Sequence, residues 1–261
     1  MKGVVFVLIL FGIGFVCGES VINKQCVSSE MNEPLVMAHR GGEYFDSENI
    51  LESVEKSLGI GADLIELDIR KSKDDILFCY HGGLWEVLFS RFYFNRDLKE
   101  LMKRNERIAV LSDVVELMNE DDVLFLDVKD KSISVEDLEN ALIGFGGKVY
   151  FASNSFDYHE RVGDLPEDWK RVYNVGLWKL TPWNFEKIKK LKFDVVELFI
   201  WDFKEKNIKL LRKEGINVAL SHRLLSWSFY SRKCFSERVE WVYDYDVARV
   251  VESKKVYFSK V

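Results

Sequence analysis

Eight strand-length apolar runs, most followed by a stretch of helical periodicity, constrain this chain more than any other feature. The runs are LVMAH (35–39), ADLIELDI (62–69), ILFCYH (76–81), VLFLDVK (123–129), KVYFAS (148–153), RVYNV (171–175), DVVELFI (194–200) and INVAL (216–220). Between them lie the helical patterns. NILESVEKSLG (49–59) sets Ile50, Val54 and Leu58 on one face, with Gly59 as its stop. Segments 97–102, 113–118, 134–145, 181–191 and 204–215 follow, the last with Gly215 as its stop. Strands alternating with helices predict an α/β fold with a parallel sheet. Eight such units over this length predict a (β/α)8 TIM barrel, with the open doubly wound sheet as the alternative. Only the turn KSKDD separates the second and third runs, so the barrel is expected to be irregular between strands 2 and 3.

Three prolines and no Gly- or Ser-rich linker favour one domain, expected over residues 30–255. The first 20 residues stand apart. Lys2 precedes an uncharged apolar run from Gly3 to Gly18, shorter than the roughly 20 residues a spanning helix needs. A basic start, a short apolar core and small residues at its end read as a secretory signal cleaved after Gly18 or Ser20. The alternative is an uncleaved anchor through residues 3–18. Either reading makes the protein secreted or extracytoplasmic. Cleavage would leave Cys26, Cys79 and Cys234, an odd number; a Cys26–Cys234 disulfide and three unpaired thiols both stay open. A net charge of −6 disfavours a nucleic-acid partner.

In a barrel the chemistry gathers at the C-terminal ends of the strands. Here the first run ends at His39-Arg40, the second at Glu66-Leu67-Asp68, the third at His81 and the fourth at Asp127-Val128-Lys129. Residues i and i+2 of a strand share a face, so Glu66 and Asp68 point together while Ile65, Leu67 and Ile69 point away. Asp127 and Lys129 are related likewise. Converging carboxylates repel one another unless a hard divalent cation, Mg²⁺ or Ca²⁺, joins them. Two histidines supply an acid and a base near neutral pH. Arg40 and Lys129 can hold an anion. Together these groups point to phosphoryl transfer or phosphodiester cleavage. Glu197 points inward if the register holds. His159 reads as a surface residue, and His222 follows the eighth run. The aromatic stretch LWEVLFSRFYF (84–94), with Trp201, Phe203 and Trp227, reads either as a helix packed on the barrel or as an apolar rim contacting a membrane surface.

The motifs HRGG (39–42), SEN (47–49), IELDI (65–69), YHGG (80–83) and LDVK (126–129), in that order, resemble the glycerophosphodiester phosphodiesterase family. SNSFD (153–157) and VEWVYDYDV (239–247) resemble its segment after the fifth strand and its closing strand, so the resemblance spans roughly residues 35–250. It implies that His39 and His81 are the catalytic acid/base pair and that Glu66, Asp68 and Asp127 hold a divalent cation. It makes Arg40 and Lys129 the phosphate contacts, with Glu48 and Asn49 supporting the site from behind. The implied substrate is a glycerophosphodiester, cleaved to glycerol phosphate and an alcohol. The chain departs from the family pattern at Ser47 (commonly Pro), Gly82 (commonly Asp), Asp127 (commonly Glu) and 219–227. His-Gly and Leu-Asp-x-Lys also resemble the related sphingomyelinase D-like phospholipases. Those imply cleavage of lysophospholipids or sphingolipids. An inactive relative that binds a headgroup is the third reading.

Overall fold

The computed structural model describes residues 35–42, 47–83, 94–175, 180–199, 202–221, 241–242, 250–252 and 254–255. The chain divides into two compact units, Met1–Met31 and Asn32–Val261. The first unit, His222, Cys17, Cys26, Cys234, Trp201, Trp227 and 84–93 lie outside the described residues.

Among the described residues, ten strands form one sheet. They are β1 (Leu35–Ala38), β2 (Leu64–Lys71), β3 (Leu77–Cys79), β4 (Ala109–Val110), β5 (Val123–Val128), β6 (Lys148–Ser153), β7 (Trp169–Asn174), β8 (Val195–Phe199), β9 (Asn217–Ser221) and β10 (Trp241–Val242). Starting from β2, parallel pairings run β2–β5–β6–β7–β8–β9–β10–β1. β1 then pairs with β2 through Met37↔Leu64 and Ala38↔Ile65, which closes the ring. The fold is therefore the expected (β/α)8 barrel, with eight parallel staves.

The stave assignment differs from the sequence expectation at one place. Run 76–81 is not the third stave. As β3 it folds back antiparallel on β2, with Ile69 opposite Cys79, and β4 extends the same hairpin. A parallel crossover needs about a dozen residues, and the segment 72–76 is too short to supply one. β2 pairs directly with β5 instead, and the two-residue β10, inside the 239–247 segment expected as the closing strand, brings the staves to eight between β9 and β1.

Seven helices, α1 (Leu51–Ile60), α2 (Leu98–Met102), α3 (Leu111–Val115), α4 (Val135–Ala141), α5 (Phe156–Val162), α6 (Pro182–Lys190) and α7 (Glu205–Lys213), lie along the described chain. α1 begins after Asn49 and stops at Gly61, not Gly59; Gly61 takes a left-handed conformation (φ 88°) and returns its N–H to Leu58. Gly215 ends the α7 turn with φ 76°, as expected. α4 opens with a capping box between Ser134 and Asp137, and α6 with Thr181 capping Asn184 and Pro182 in the first turn.

Strand parity sorts the core into two layers. Met37, Leu64, Val123, Phe125, Tyr150, Ala152, Val172, Val195 and Ala219 fill the barrel interior. Ile65, Leu67, Ile69, Leu124, Leu126 and Val128 point outward, into the cluster that includes Val54, Leu138, Ile188 and Leu211 of the helices. Glu66 and Asp68 share the parity of Leu64, and Asp127 that of Phe125, so all three carboxylates face inward above that apolar fill.

His159 is not at the surface. It is 1% exposed on α5, its ring edge-on to Phe151 and Phe193, with Nε2 3.1 Å from the Ser153 carbonyl and Nδ1 3.4 Å from Arg171 Nη1. α5 turns this face inward, which a seven-residue polar-looking segment does not reveal. Burial pushes its pKa down from 6.5 to about 4. The folded state therefore binds this proton more weakly than the unfolded state, and stability present above pH 6.5 is lost as pH falls toward 4. The expected difference is about 3 kcal/mol. Urea denaturation at pH 7 and pH 4 should show wild type losing that much more than His159→Gln; equal losses would remove the buried neutral histidine from the account. Phe203, read from the sequence either as packed on the barrel or as part of an apolar rim, is 4% exposed and packs in the outer core layer.

Candidate active site

The site is assembled around Asp68, on the inward face of β2. Asn49 and Asp68 bind each other twice: Asn49 Nδ2 donates to Asp68 Oδ2 at 2.9 Å, and the Asp68 N–H donates to Asn49 Oδ1 at 3.0 Å. This exchange holds Asn49 at φ 58°, a left-handed conformation that asparagine tolerates better than most residues, and keeps it out of α1. Lys129 Nζ lies 2.9 Å from Asp68 Oδ1 and also contacts Asp127. Arg40 Nε lies 3.4 Å from Asp68 Oδ2, and its Nη1 is paired with Glu48.

The His39–Gly41 turn follows β1 directly. Arg40, Gly41 and Gly42 all take positive φ (52°, 72° and 103°), which folds the backbone back over β2. The Arg40 N–H then donates to Glu66 Oε2 at 2.5 Å, and the Arg40 carbonyl accepts from the Asn49 N–H at 2.7 Å. Gly41 packs closely against α1. A Cβ on it would lie 2.9 Å from Val54 Cγ2 of α1, and its carbonyl already accepts from the Ser57 hydroxyl at 2.9 Å. His39 Nε2 lies 3.9 Å from Glu66 Oε2.

His81 follows β3 and not a stave, yet the hairpin returns it to the same mouth, within the electrostatic reach of Asp68, Arg40, Lys129 and Glu48. Its Nδ1 is 2.9 Å from the Gly82 carbonyl. Arg70 accounts for this placement. Its Nε donates to the Tyr80 carbonyl at 2.8 Å and its Nη2 to the His81 carbonyl at 2.7 Å, while its guanidinium lies 4.1 Å from the centre of the Phe94 ring. Arg70 is absent from the residues expected from sequence, although it continues the inward parity of Glu66 and Asp68, and that spacing is the signal that could have found it. Glu197, also 3% exposed, has the parity of Val195 on β8 and faces inward as expected.

The electrostatics divide the carboxylates. Burial raises the Glu66 pKa well above the usual carboxylate range, and Asp68 and Asp127 add to that. Burial also opposes ionisation of Asp68, but Lys129, His81, Arg40 and the Asn49 hydrogen bond outweigh it and hold Asp68 below its ordinary value. For Lys129, burial is overcome by Asp127, Asp68 and Glu66, and the pKa rises. Arg40 behaves likewise, burial yielding to Asp68, Glu48 and Glu66. His81 goes the other way: burial, helped by Arg40 and Lys129, lowers its pKa despite Asp68.

Glu66, Asp68 and Asp127 each present one oxygen, all within 4.8 Å of one another, and all three residues are buried. Three converging hard oxygens, the pKa of one raised by burial and then by the other two, suit a hard divalent cation. The arrangement thus brings together, among the described residues, all nine groups expected from the sequence: His39, Arg40, Glu48, Asn49, Glu66, Asp68, His81, Asp127 and Lys129.

Residues 39–220 match the family model of the glycerophosphoryl diester phosphodiesterase family. A glycerophosphodiester phosphodiesterase of Caldanaerobacter subterraneus is 27% identical, over 70% of this chain and 91% of that protein. The crystal structure of a glycerophosphodiester phosphodiesterase from Thermotoga maritima superposes with a TM-score of 0.68 at 23% identity, covering 85% of this chain and 99% of that one. An Oleispira antarctica phosphodiesterase, solved with the product sn-glycerol-3-phosphate, gives 0.71 at 17% identity over 86% and 97%.

Proposed function

Because this chain belongs to the glycerophosphoryl diester phosphodiesterase family, we propose that it hydrolyses glycerophosphodiesters to glycerol phosphate and an alcohol at the β1–β2–β5 mouth. The observation that carries the reading is the inward cluster of Glu66, Asp68 and Asp127, flanked by Arg40, Lys129 and two histidines. Glu66, Asp68 and Asp127 would hold the divalent cation, Mg²⁺ or Ca²⁺. When bound, that cation supplies charge stabilisation for the phosphoryl oxygens.

The chain's own residues do the rest. Arg40 and Lys129 hold the phosphodiester and offset charge that develops on it. His81, its pKa lowered by burial and by the neighbouring cations, takes the proton of the nucleophile, which is water or the adjacent glycerol hydroxyl. His39 protonates the departing alkoxide. Asn49 and Glu48 orient Asp68 and Arg40, and Arg70 positions the segment that carries His81. The proposal includes export: residues 1–20 act as a signal or an anchor ahead of a catalytic domain at 30–255, with substrate met outside the cytoplasm.

The test is cleavage of glycerophosphocholine and lysophosphatidylcholine by the purified full chain, with and without EDTA. The expected result is divalent-dependent release of choline from the soluble diester, stopped by EDTA. Cleavage of the lysolipid alone would transfer the chain to the phospholipase D-like reading. A folded protein inactive on both would favour a headgroup-binding relative.

A further inference from the structure

A cavity of about 620 Å³ lies beside Lys129, between the chain that leaves β2 and the chain that leaves β5. Among the described residues, Arg70, Lys71, Lys73, Lys129 and Lys131 line it, against the single carboxylate of Asp130. Such a concentration of cations runs against the net charge of −6 on the whole chain. Asp130 is turned toward its own loop, where it accepts from the Ser132 N–H at 2.9 Å. Lys71 is tied to Asp137 at 3.2 Å and to Asp75 at 3.5 Å. Lys73 and Lys131 stand exposed on opposite walls. Arg70 is fixed by the two carbonyls and the ring described above, so the inner wall is built in advance.

Lys129 both lines this cavity and pairs with Asp68 of the carboxylate cluster, so the cavity adjoins that cluster at this residue. A phosphoryl group held at Lys129 would place its leaving alcohol within reach of the cavity. We propose that the cavity receives a second anionic group on that alcohol, so that the preferred substrates are glycerophosphodiesters of phosphorylated polyols. The assignment of the ligand as part of a diester rests on the function proposed above. A choline or ethanolamine headgroup, being cationic, gains no such pairing there and meets like charge at the exposed Lys73 and Lys131. Like charges so placed discriminate between ligands more strongly than neutral contacts do.

The test compares the full wild-type chain with Lys73→Glu/Lys131→Glu, two exposed positions outside the catalytic cluster. Two quantities are measured: calorimetric affinity for inositol 4-phosphate, and kcat/KM on glycerophosphoinositol 4-phosphate and glycerophosphocholine. Wild type should prefer the anionic diester. The charge reversals should lower both its kcat/KM and the inositol 4-phosphate affinity roughly 10- to 100-fold, an effect that shrinks as salt is raised. Glycerophosphocholine turnover should hold or rise. Equal inositol 4-phosphate affinity in the two proteins, or a wild-type preference for glycerophosphocholine, would overturn the inference. If neither diester is cleaved but the reversals still weaken inositol 4-phosphate binding, the anion site stands and the hydrolase reading alone falls.

Discussion

In a Glu66→Ala/Asp68→Ala variant, divalent-dependent cleavage is expected to fall by at least a factor of about 10³, roughly 4 kcal/mol of transition-state stabilisation, and the rise in thermal stability with added cation should vanish. A ligand that binds only the folded state stabilises it by about 2.7 kcal/mol at a hundred times its Kd. For a unit of this size that corresponds to a rise in Tm of roughly 5–10 °C. The measurement is a thermal melt in EDTA and in millimolar Mg²⁺ or Ca²⁺. Wild type should show the rise and the variant none. The double substitution also strips Lys129 and Arg40 of a buried partner at Asp68, so the variant is expected to be less stable even in EDTA, by about 3–5 kcal/mol for a broken buried pair. Glu66→Gln separates the two effects. It keeps the shape and resembles the neutral carboxyl that burial beside Asp68 and Asp127 favours. In EDTA it should melt close to wild type, yet still lack the cation-dependent rise. A rise in Glu66→Gln as large as that of wild type would remove Glu66 from the ligand set.

His39→Ala and His81→Ala should each lower kcat by roughly 10²- to 10⁴-fold, the usual contribution of a positioned acid or base. Because the two act on one reaction, the double variant should lose little more than the worse single one. The singles should differ in pH profile. With His81 as the base, held below its ordinary pKa by burial and by Arg40 and Lys129, wild-type kcat/KM should fall at acid pH with a midpoint below the ordinary histidine value. His81→Ala should lose that limb and His39→Ala should keep it. If both keep it, the base is another group. A control is Arg70→Lys, which loses the forked contact to the Tyr80 and His81 carbonyls but leaves both histidines in place. It should depress kcat while sparing the acid limb.

Much of this site is legible in the amino-acid order. Glu66 and Asp68 can be set on one face because a strand alternates with period two whatever it pairs with, and the inward parity of Leu64 and Phe125 bears that out. The grouping of His39, Asp68 and Asp127 at strand ends follows from the barrel alone. The third stave is not legible, because an apolar run of strand length is the same in a parallel stave and in a hairpin arm. The short turn ahead of that run signals only an irregularity between strands 2 and 3. Periodicity places Asn49 in the first helix, whereas its paired hydrogen bonds with Asp68 hold it outside. His159 reads as exposed because one short helix with a few polar residues does not declare which side it buries.

The sequence by itself determined the class of fold, the parity of the carboxylates and the chemical types available at each strand end, since these depend on local periodicity and on the identity of side chains. Tertiary structure alone decided how a histidine on an antiparallel hairpin reaches the parallel mouth, and in which direction burial and neighbours move the pKa of each carboxylate. Those outcomes depend on groups far apart in the chain. Asp68 is held ionised by Lys129, Arg40 and Asn49, and Glu66 is driven toward its neutral form by burial beside Asp68 and Asp127. Charge balance in a buried cluster is a property of distances, and only the closed barrel sets those distances.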